Sequence, residues 1–473
     1  MTTPARSVKR GHGTKERPIV KELWEREAYA PRSLALKEGS DFLPNNRNVD
    51  YARYFDPKFA AEELEAVWKK CWLYACREED IPNVGDRVPL HVGPLSFFIV
   101  RTTATEFKAF LNSCLHRGTM LCAKPASGAS IRCPFHGWEW NIDGKLKKIP
   151  GHWDFPEITR VNGSLPEVKL ERWGGGIFIN ADAKAPPLAE ALGPLPKHFE
   201  KFQLERRYTA ARFRKEIHAN WKIVQEAFME AYHLGTTHPE AAPFNSDVQA
   251  QYDIWPGKPW PVARNASCAA NPAVDAPPEA TAYTAGQMYA TAMKEWHFRD
   301  AELPVLDPSQ DIRTQLGRWH RQQFESTYGR PTESADAELM DSLLYYVFPH
   351  STFWLCEAVP FTYQFTPHPT DCEKSFFEVR LMRPQPEGGP IPPSAPVVEL
   401  GPNDSVFTNV PAFGFLGFVF DQDMSNLPLV QRGLHAADPK RFHTRLGAYQ
   451  EMIIQQWHAT IDEHIAAYKA ENT

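Results

Sequence analysis

Two short runs place metal-binding side chains at close spacing: Cys114-Leu-His116 and Cys133-Pro-Phe-His136, separated by sixteen residues. Two thiolates and two imidazoles could form an ordinary tetrahedral zinc site. The order of the residues points elsewhere, because each run carries one Cys and one His. In a [2Fe–2S] cluster of mixed ligation, the two Cys hold one iron and the two His hold the other. Two hooks meeting from opposite sides, each giving one ligand to each iron, satisfy that arrangement. Gly118 and Gly137 close the hooks and let the backbone turn tightly enough to aim N–H groups at cluster sulfurs.

A second constellation lies in Asn220-Trp-Lys-Ile-Val-Gln-Glu-Ala-Phe-Met-Glu-Ala-Tyr-His-Leu-Gly-Thr-Thr-His-Pro239. Trp221, Val224 and Phe228 fall on one helical face, so the run reads as a helix. His233 and His238 are five residues apart, which an ideal helix separates by about 140°. Both can reach one metal only if the helix deforms, and Gly235 is the obvious place for a bulge or break. Such a pair suits a 2-His-1-carboxylate iron(II) site, which leaves positions open for O₂ and substrate. Glu230, three residues before His233, lies on the same face and can accept that imidazole's other N–H. The carboxylate is sought in Phe418-Val-Phe-Asp-Gln-Asp-Met-Ser-Asn426, read as a hydrophobic strand entering an acidic turn. Asp421 and Asp423 would share one strand face there, and chemistry alone does not separate them.

The residues around these ligands carry a resemblance. Cys114-Leu-His-Arg-Gly118 and Cys133-Pro-Phe-His-Gly-Trp138 resemble the Rieske signature of ring-hydroxylating oxygenases, and the 220–239 run resembles the iron-binding motif of their catalytic domain. One departure is Ala227, where many relatives carry Asn. The resemblance implies a Rieske [2Fe–2S] cluster on Cys114, His116, Cys133 and His136, and mononuclear Fe(II) on His233, His238 and Asp423, with Asp421 in reserve. It also implies that Glu230 meets His136 of a neighbouring subunit, which calls for a homotrimer, or for an α₃β₃ assembly with a small partner. Electrons would come from an external reductase or ferredoxin drawing on NADH or NADPH. No G-x-G-x-x-G fingerprint suggests a reductase fused to this chain.

The elements that must position these groups change character along the chain. Residues 1–71 read as an N-terminal arm followed by a helix near 60–70. Its first fifteen residues are basic (Arg6, Lys9, Arg10, Lys15) and suggest a flexible tail or subunit-wrapping arm rather than a transit peptide. Residues 72–184 have the short strands and turns of an all-β module carrying both hooks on loops. A Pro-rich linker spans 185–196. Residues 185–473 mix helices and strands, so the fold class is α+β, with the catalytic part built as helices on an antiparallel sheet. Within it, 255–345 reads as an insertion-like lobe whose Trp255, Trp260, Trp296 and Trp319 either cover a pocket or simply pack. Strands are expected at 343–348, 376–382 and 413–420, and one long helix at 441–469. Phe228, Met229, Phe348 and Phe365 are pocket candidates, with core packing as the plainer role.

Composition sets the outer bounds. The 473 residues suffice for two cores, and the net charge of −6 provides no basic field for nucleic acid. No apolar run spans a membrane, and the six Cys outside the hooks lack a disulfide-like spacing, so a cytoplasmic setting is expected. The leading expectation is an oxygenase hydroxylating an aromatic or other hydrophobic compound, by mono- or dioxygenation. The alternatives are a monooxygenase or demethylase acting on C–H or N/O-methyl groups, including quaternary ammonium compounds, and a Rieske protein that only carries electrons.

Overall fold

The computed structural model describes residues 19–472 apart from 28, 30, 31, 46, 47, 248, 274, 275, 358, 359, 391 and 439–441. The basic start (Arg6, Lys9, Arg10, Lys15) lies outside the described residues, as do Arg441 and the side chain of Trp296. No described helix is long and apolar enough to cross a membrane.

Alternating short strands between residues 73 and 180 build a six-stranded antiparallel sheet in the spatial order 73–77, 176–180, 167–173, 107–111, 95–101 and 87–92. A separate three-stranded sheet (Ser130–Arg132, Glu139–Asn141, Leu146–Lys148) projects from it and brackets the second hook. Its turn is the expected Ile142-Asp-Gly-Lys145, where Gly144 has φ +83° and a Cβ would fall 2.4 Å from the Phe110 ring. Phe98, Phe110, Ile131, Trp138, Trp140 and Leu165 form a small core of their own under the hooks.

The rest of the chain is organised on an eight-stranded sheet. Its order is Gln251–Trp255, Val262–Ser267, Ser342–Val347, Ser351–Leu355, Phe361–Pro367, Ser375–Pro384, Arg207–Ile217 and Val398–Leu400, with only the last pair parallel. Arg207–Ile217 alternates buried and half-buried residues along its whole length, the period-2 mark of a strand with one covered face. By contrast, every residue of Val262–Ser267 is buried, so both faces of the sheet are covered there. The N-terminal segment supplies part of that cover: Trp24 Nε1 donates to Asp341 at 2.9 Å, and Ser40 N donates to Asp253 at 2.8 Å. Buried Arg264 joins Asp253 at 2.6 Å and donates to the Tyr345 hydroxyl at 3.0 Å.

Four expectations need correction. The 413–420 run is not a strand: it enters a helix, Gly414–Ala436, that buries Gly417, Phe420, Asp423, Met424, Leu427, Gln431 and Leu434 at helical spacing. A short, uniformly apolar run fits a strand or a buried helix equally, and here the continuation of the periodicity decides it. The closing helix is Met452–Glu471, beginning later than expected, because His443–Thr444 pairs as a short strand with Val49–Asp50. The Pro-rich 185–196 stretch is no loose linker; it forms two short helices, Leu188–Leu192 and Leu195–Phe199, whose Leu188, Leu192, Leu195 and Phe199 are buried. The 255–345 region is not simply inserted, since Val262–Ser267 is integral to the large sheet and residues of Ala282–Trp296 and Ile312–Tyr328 bury into the same core.

Candidate functional site

The two hooks have the same backbone construction. Cys114 N donates to Thr119 O at 2.9 Å and Gly118 N to Cys114 O at 2.8 Å; Cys133 N donates to Trp138 O at 2.8 Å and Gly137 N to Cys133 O at 3.1 Å. Both glycines sit at φ +75°, a left-handed value costly for a residue with a Cβ. These turns bring the His116 and His136 rings to 4.6 Å between centroids, crossed at 75°, with Trp138 stacked parallel on His116. Burial pushes the Cys114 thiol up; at Cys133 burial also pushes up, but hydrogen bonds from the Phe135 and His136 backbone and from the Cys114 and Thr119 side chains together draw the thiol down. His116 Nδ1 is buried without a hydrogen-bond partner. An orphaned imidazole nitrogen among two thiols and a second imidazole fits a metal cluster better than it fits a packed core.

The second centre is assembled from two distant parts of the chain. Helix Trp221–Ala227 is capped by the Asn220 side chain, which accepts from Lys222 N at 3.0 Å. Buried Lys222 holds it in place through Glu63, 2.8 Å away. The helix stops at Ala227, before the first His. The break therefore falls at 228–233 rather than at Gly235, and a one-turn helix, Leu234–Thr237, separates His233 from His238. That single turn swings the two Nε2 atoms to 3.2 Å from each other.

The outer nitrogens of both rings are held. Glu230 Oε1 lies 2.6 Å from His233 Nδ1, while its Oε2 accepts the backbone N–H groups of Tyr232 and His233. His238 Nδ1 lies 2.9 Å from Gln422 Oε1, and Gln422 Nε2 donates to Glu240 at 2.8 Å. With acceptors on both Nδ1 atoms, each ring can offer an Nε2 lone pair inward once a metal takes the place of the proton. Asp423 Oδ1 joins them, 3.0 Å from His238 Nε2 and 3.5 Å from His233 Nε2. The three donor atoms lie within 4.8 Å of one another. Burial would pull His233 down, but hydrogen bonds to Asp423 and Glu230 and their charge outweigh it and push the imidazole up to about 10. Burial would raise Asp423, yet the two imidazoles hold its carboxyl below the usual range. The centre therefore draws in positive charge, and its two nitrogens and one oxygen fit a divalent iron.

Asp421 is placed differently. On a helix, two residues span about 200°, so Asp421 and Asp423 face opposite sides rather than sharing a face. Asp421 accepts from Ser405 Oγ at 2.6 Å, Val406 N at 2.7 Å and Phe407 N at 3.2 Å, which commits both its oxygens to the start of another helix. Sequence reasoning missed Gln422, because a Gln between two acids gives no signal until the helix places it beside His238.

The donor trio opens on a cavity of about 220 Å³ between the large sheet and helices Ala282–Trp296 and Gly414–Ala436. Phe228 lines it, as do Trp354, Tyr363 and Phe420; Met229, Phe348 and Phe365 are fully buried core residues instead. Trp255, Trp260 and Trp319 do not reach the cavity, and the 255–345 region contributes Tyr289, Ala292 and Met293 in their place. No Lys or Arg is found among the described residues lining it.

An α+β chain with hooks of this kind and a buried His-His-Asp centre defines a class, and comparison with known families identifies it. Residues 200–467 match the Ring hydroxylating alpha subunit (catalytic domain), and residues 71–159 match the Rieske [2Fe-2S] domain. The chain belongs to the ring-hydroxylating α-subunit family and carries a Rieske domain. It is 29% identical over 211 residues to the anthranilate 1,2-dioxygenase large subunit of Acinetobacter baylyi, a match covering 42% of this chain and 44% of that one. To the biphenyl 2,3-dioxygenase subunit alpha of Rhodococcus jostii it is 32% identical over 197 residues, covering 40% and 43%. To the carnitine monooxygenase oxygenase subunit of Escherichia coli it is 31% identical over 202 residues, covering 42% and 53%. The chain thus spans about half the length of the curated relatives it matches. The fold is shared with naphthalene 1,2-dioxygenase (TM-score 0.61, 17% identity, covering 89% and 94%) and with a quaternary ammonium Rieske monooxygenase (TM-score 0.60, 18% identity, covering 88% and 95%).

Proposed function

We propose that this chain is the terminal oxygenase component of a two-part system, hydroxylating an aromatic or other hydrophobic compound with O₂ and electrons from an external NAD(P)H-dependent reductase or ferredoxin. The observation that carries the reading is the His233–His238–Asp423 trio opening directly on an apolar cavity. When bound, a cluster on Cys114, His116, Cys133 and His136 and an iron on the trio would supply one-electron transfer and O₂ activation. The chain's own residues do the rest. Glu230 and Gln422 fix the tautomer and orientation of the two imidazoles, the Phe228 and Phe420 walls hold an apolar substrate and keep bulk water out, and Asp423 supplies the negative charge that sets the centre's affinity.

The quaternary ammonium alternative draws support from the aromatic lining, since ring faces attract cations. Zwitterionic members of that class also bring a carboxylate, and no Lys or Arg among the described lining residues is there to receive it. A chain that only carried electrons would have no use for the second ligand set or its cavity.

In this reading the protein assembles as a homotrimer, or as α₃β₃ with a small subunit, so that one copy's cluster serves its neighbour's iron through His136 and Glu230. Support comes from the hooks, where His136 is exposed and the apolar side chains of Leu115 and Phe135 point outward, 39% and 58% exposed. The test is iron per subunit together with product mass from a substrate panel turned over with a reductase. About three irons and products gaining one or two oxygen atoms are expected. Two irons and no oxygenated product would reduce the chain to a carrier.

A further inference from the structure

The cavity wall has polar groups that the protein itself leaves unused. Ser267 and Ser342 are Cα partners on adjacent strands, so their side chains stand on one sheet face about 5 Å apart at the backbone. Asn245 bridges to Ala269, two residues beyond Ser267, which brings its amide to the same end of that face. All three line the cavity. Among the described residues, no hydrogen bond joins the Ser267 or Ser342 hydroxyl or the Asn245 side-chain amide to another protein group. The neighbouring Asn265 is 6% exposed and lines the same cavity, and its Oδ1 finds no partner either.

The trio is set apart from the metal ligands. Asn245 lies two hydrogen-bonded turns beyond His238, through Ala242 N to His238 O and Asn245 N to Ala241 O, with Leu234, Ala241 and Phe244 forming the apolar wall between. Among the described residues lining that end, no charged side chain is free. Asp341 lines the cavity, but its oxygens are taken by two 2.9 Å bonds from Arg313, with Trp24 Nε1 and Ala269 N adding two more. The wall therefore provides neutral donors and acceptors in an apolar shell. It solvates an uncharged polar group and leaves a carboxylate desolvated and unpaired.

Resting on the oxygenase reading above, we propose that Asn245, Ser267 and Ser342 are specificity-determining residues. They anchor one uncharged hydrogen-bonding group (a hydroxyl, carbonyl or amide) of an otherwise apolar substrate, and so direct the substrate's apolar part toward His233, His238 and Asp423. The substrate class is a neutral, monopolar aromatic compound rather than a bare hydrocarbon, an aromatic acid or a zwitterion.

The test is equilibrium binding to the holoenzyme without O₂, so that no turnover intervenes, using naphthalene, 2-naphthol and 2-naphthoate as matched probes. Wild type is expected to bind 2-naphthol about tenfold more tightly than naphthalene, with 2-naphthoate the weakest. The Ser267→Ala/Ser342→Ala double variant and Asn245→Leu should each remove most of that preference while changing naphthalene affinity by less than about twofold. Equal binding of naphthol and naphthalene, tightest binding of naphthoate, or variants that weaken all three probes alike would overturn the proposal. Should a variant fail to fold, the wild-type ranking still decides. Failure of the oxygenase reading appears separately, as no oxygen incorporated into any probe whatever the binding order.

Discussion

The two ligand sets differ in how the chain makes them. The four residues proposed to hold the cluster lie within 23 consecutive positions, on two loops of nearly identical hydrogen bonding, and His136 faces solvent. The other set joins His233 and His238 to an acid 185 residues downstream, on a different helix, at the wall of an apolar cavity. A site made of local turns is written in consecutive letters and tolerates exposure. A site made by docking two helices depends on everything that holds those helices together, and this dependence sets it in the interior where substrate and water can be controlled.

The largest effects are expected from removing one ligand from each side. Cys133→Ser should strip the cluster and leave about one iron per subunit, and Asp423→Ala should strip the buried iron and leave about two. Metal analysis with visible absorption distinguishes them, and turnover should fall below detection in both. Loss of all iron from either variant would mean that the two regions do not fold as separately as their separate cores suggest.

A smaller effect tests the supports of the buried centre. Glu230→Gln keeps the size of the side chain but removes the charge facing His233 Nδ1, so iron affinity should fall roughly 10- to 100-fold with the cluster spectrum unchanged. Gln422→Leu removes a neutral acceptor from His238 and belongs at the lower end of that range. Competition with a chelator of known affinity measures both. A Gln422→Leu loss larger than that of Glu230→Gln would reverse the assignment of which imidazole is more firmly oriented.

How much of this was legible in the sequence follows the same division. The hooks and their glycines could be read directly, because ligand order and turn residues are local. The His pair was visible, but the break was expected at Gly235; in the structure Ala227 ends the helix, and Glu230 then takes the freed N–H groups of Tyr232 and His233. The 413–420 run was misread as a strand, since eight apolar letters carry no period of their own. That misreading put Asp421 and Asp423 on one face, when helical geometry turns them apart. Gln422, Ser267 and Ser342 gave no signal at all, because their importance comes only from what packs opposite them.

The last contrast lies between those two neighbouring acids and predicts the smallest change. Asp421 accepts three hydrogen bonds at the start of helix Val406–Asn409, and its charge partly offsets the burial that draws the Lys215 amine down; that buried ammonium donates to the carbonyls of Gly401, Pro402 and Asp404. Asp421→Ala therefore removes a capping interaction worth about 1–2 kcal/mol and touches nothing at the metal. For a chain of 473 residues the melting temperature should drop by only about 1–2 °C. Iron content and turnover at 25 °C should match wild type, which calorimetry and metal analysis would establish together. Iron loss in Asp421→Ala comparable to that in Asp423→Ala would return Asp421 to the ligand set and undo the distinction that the helix draws between them.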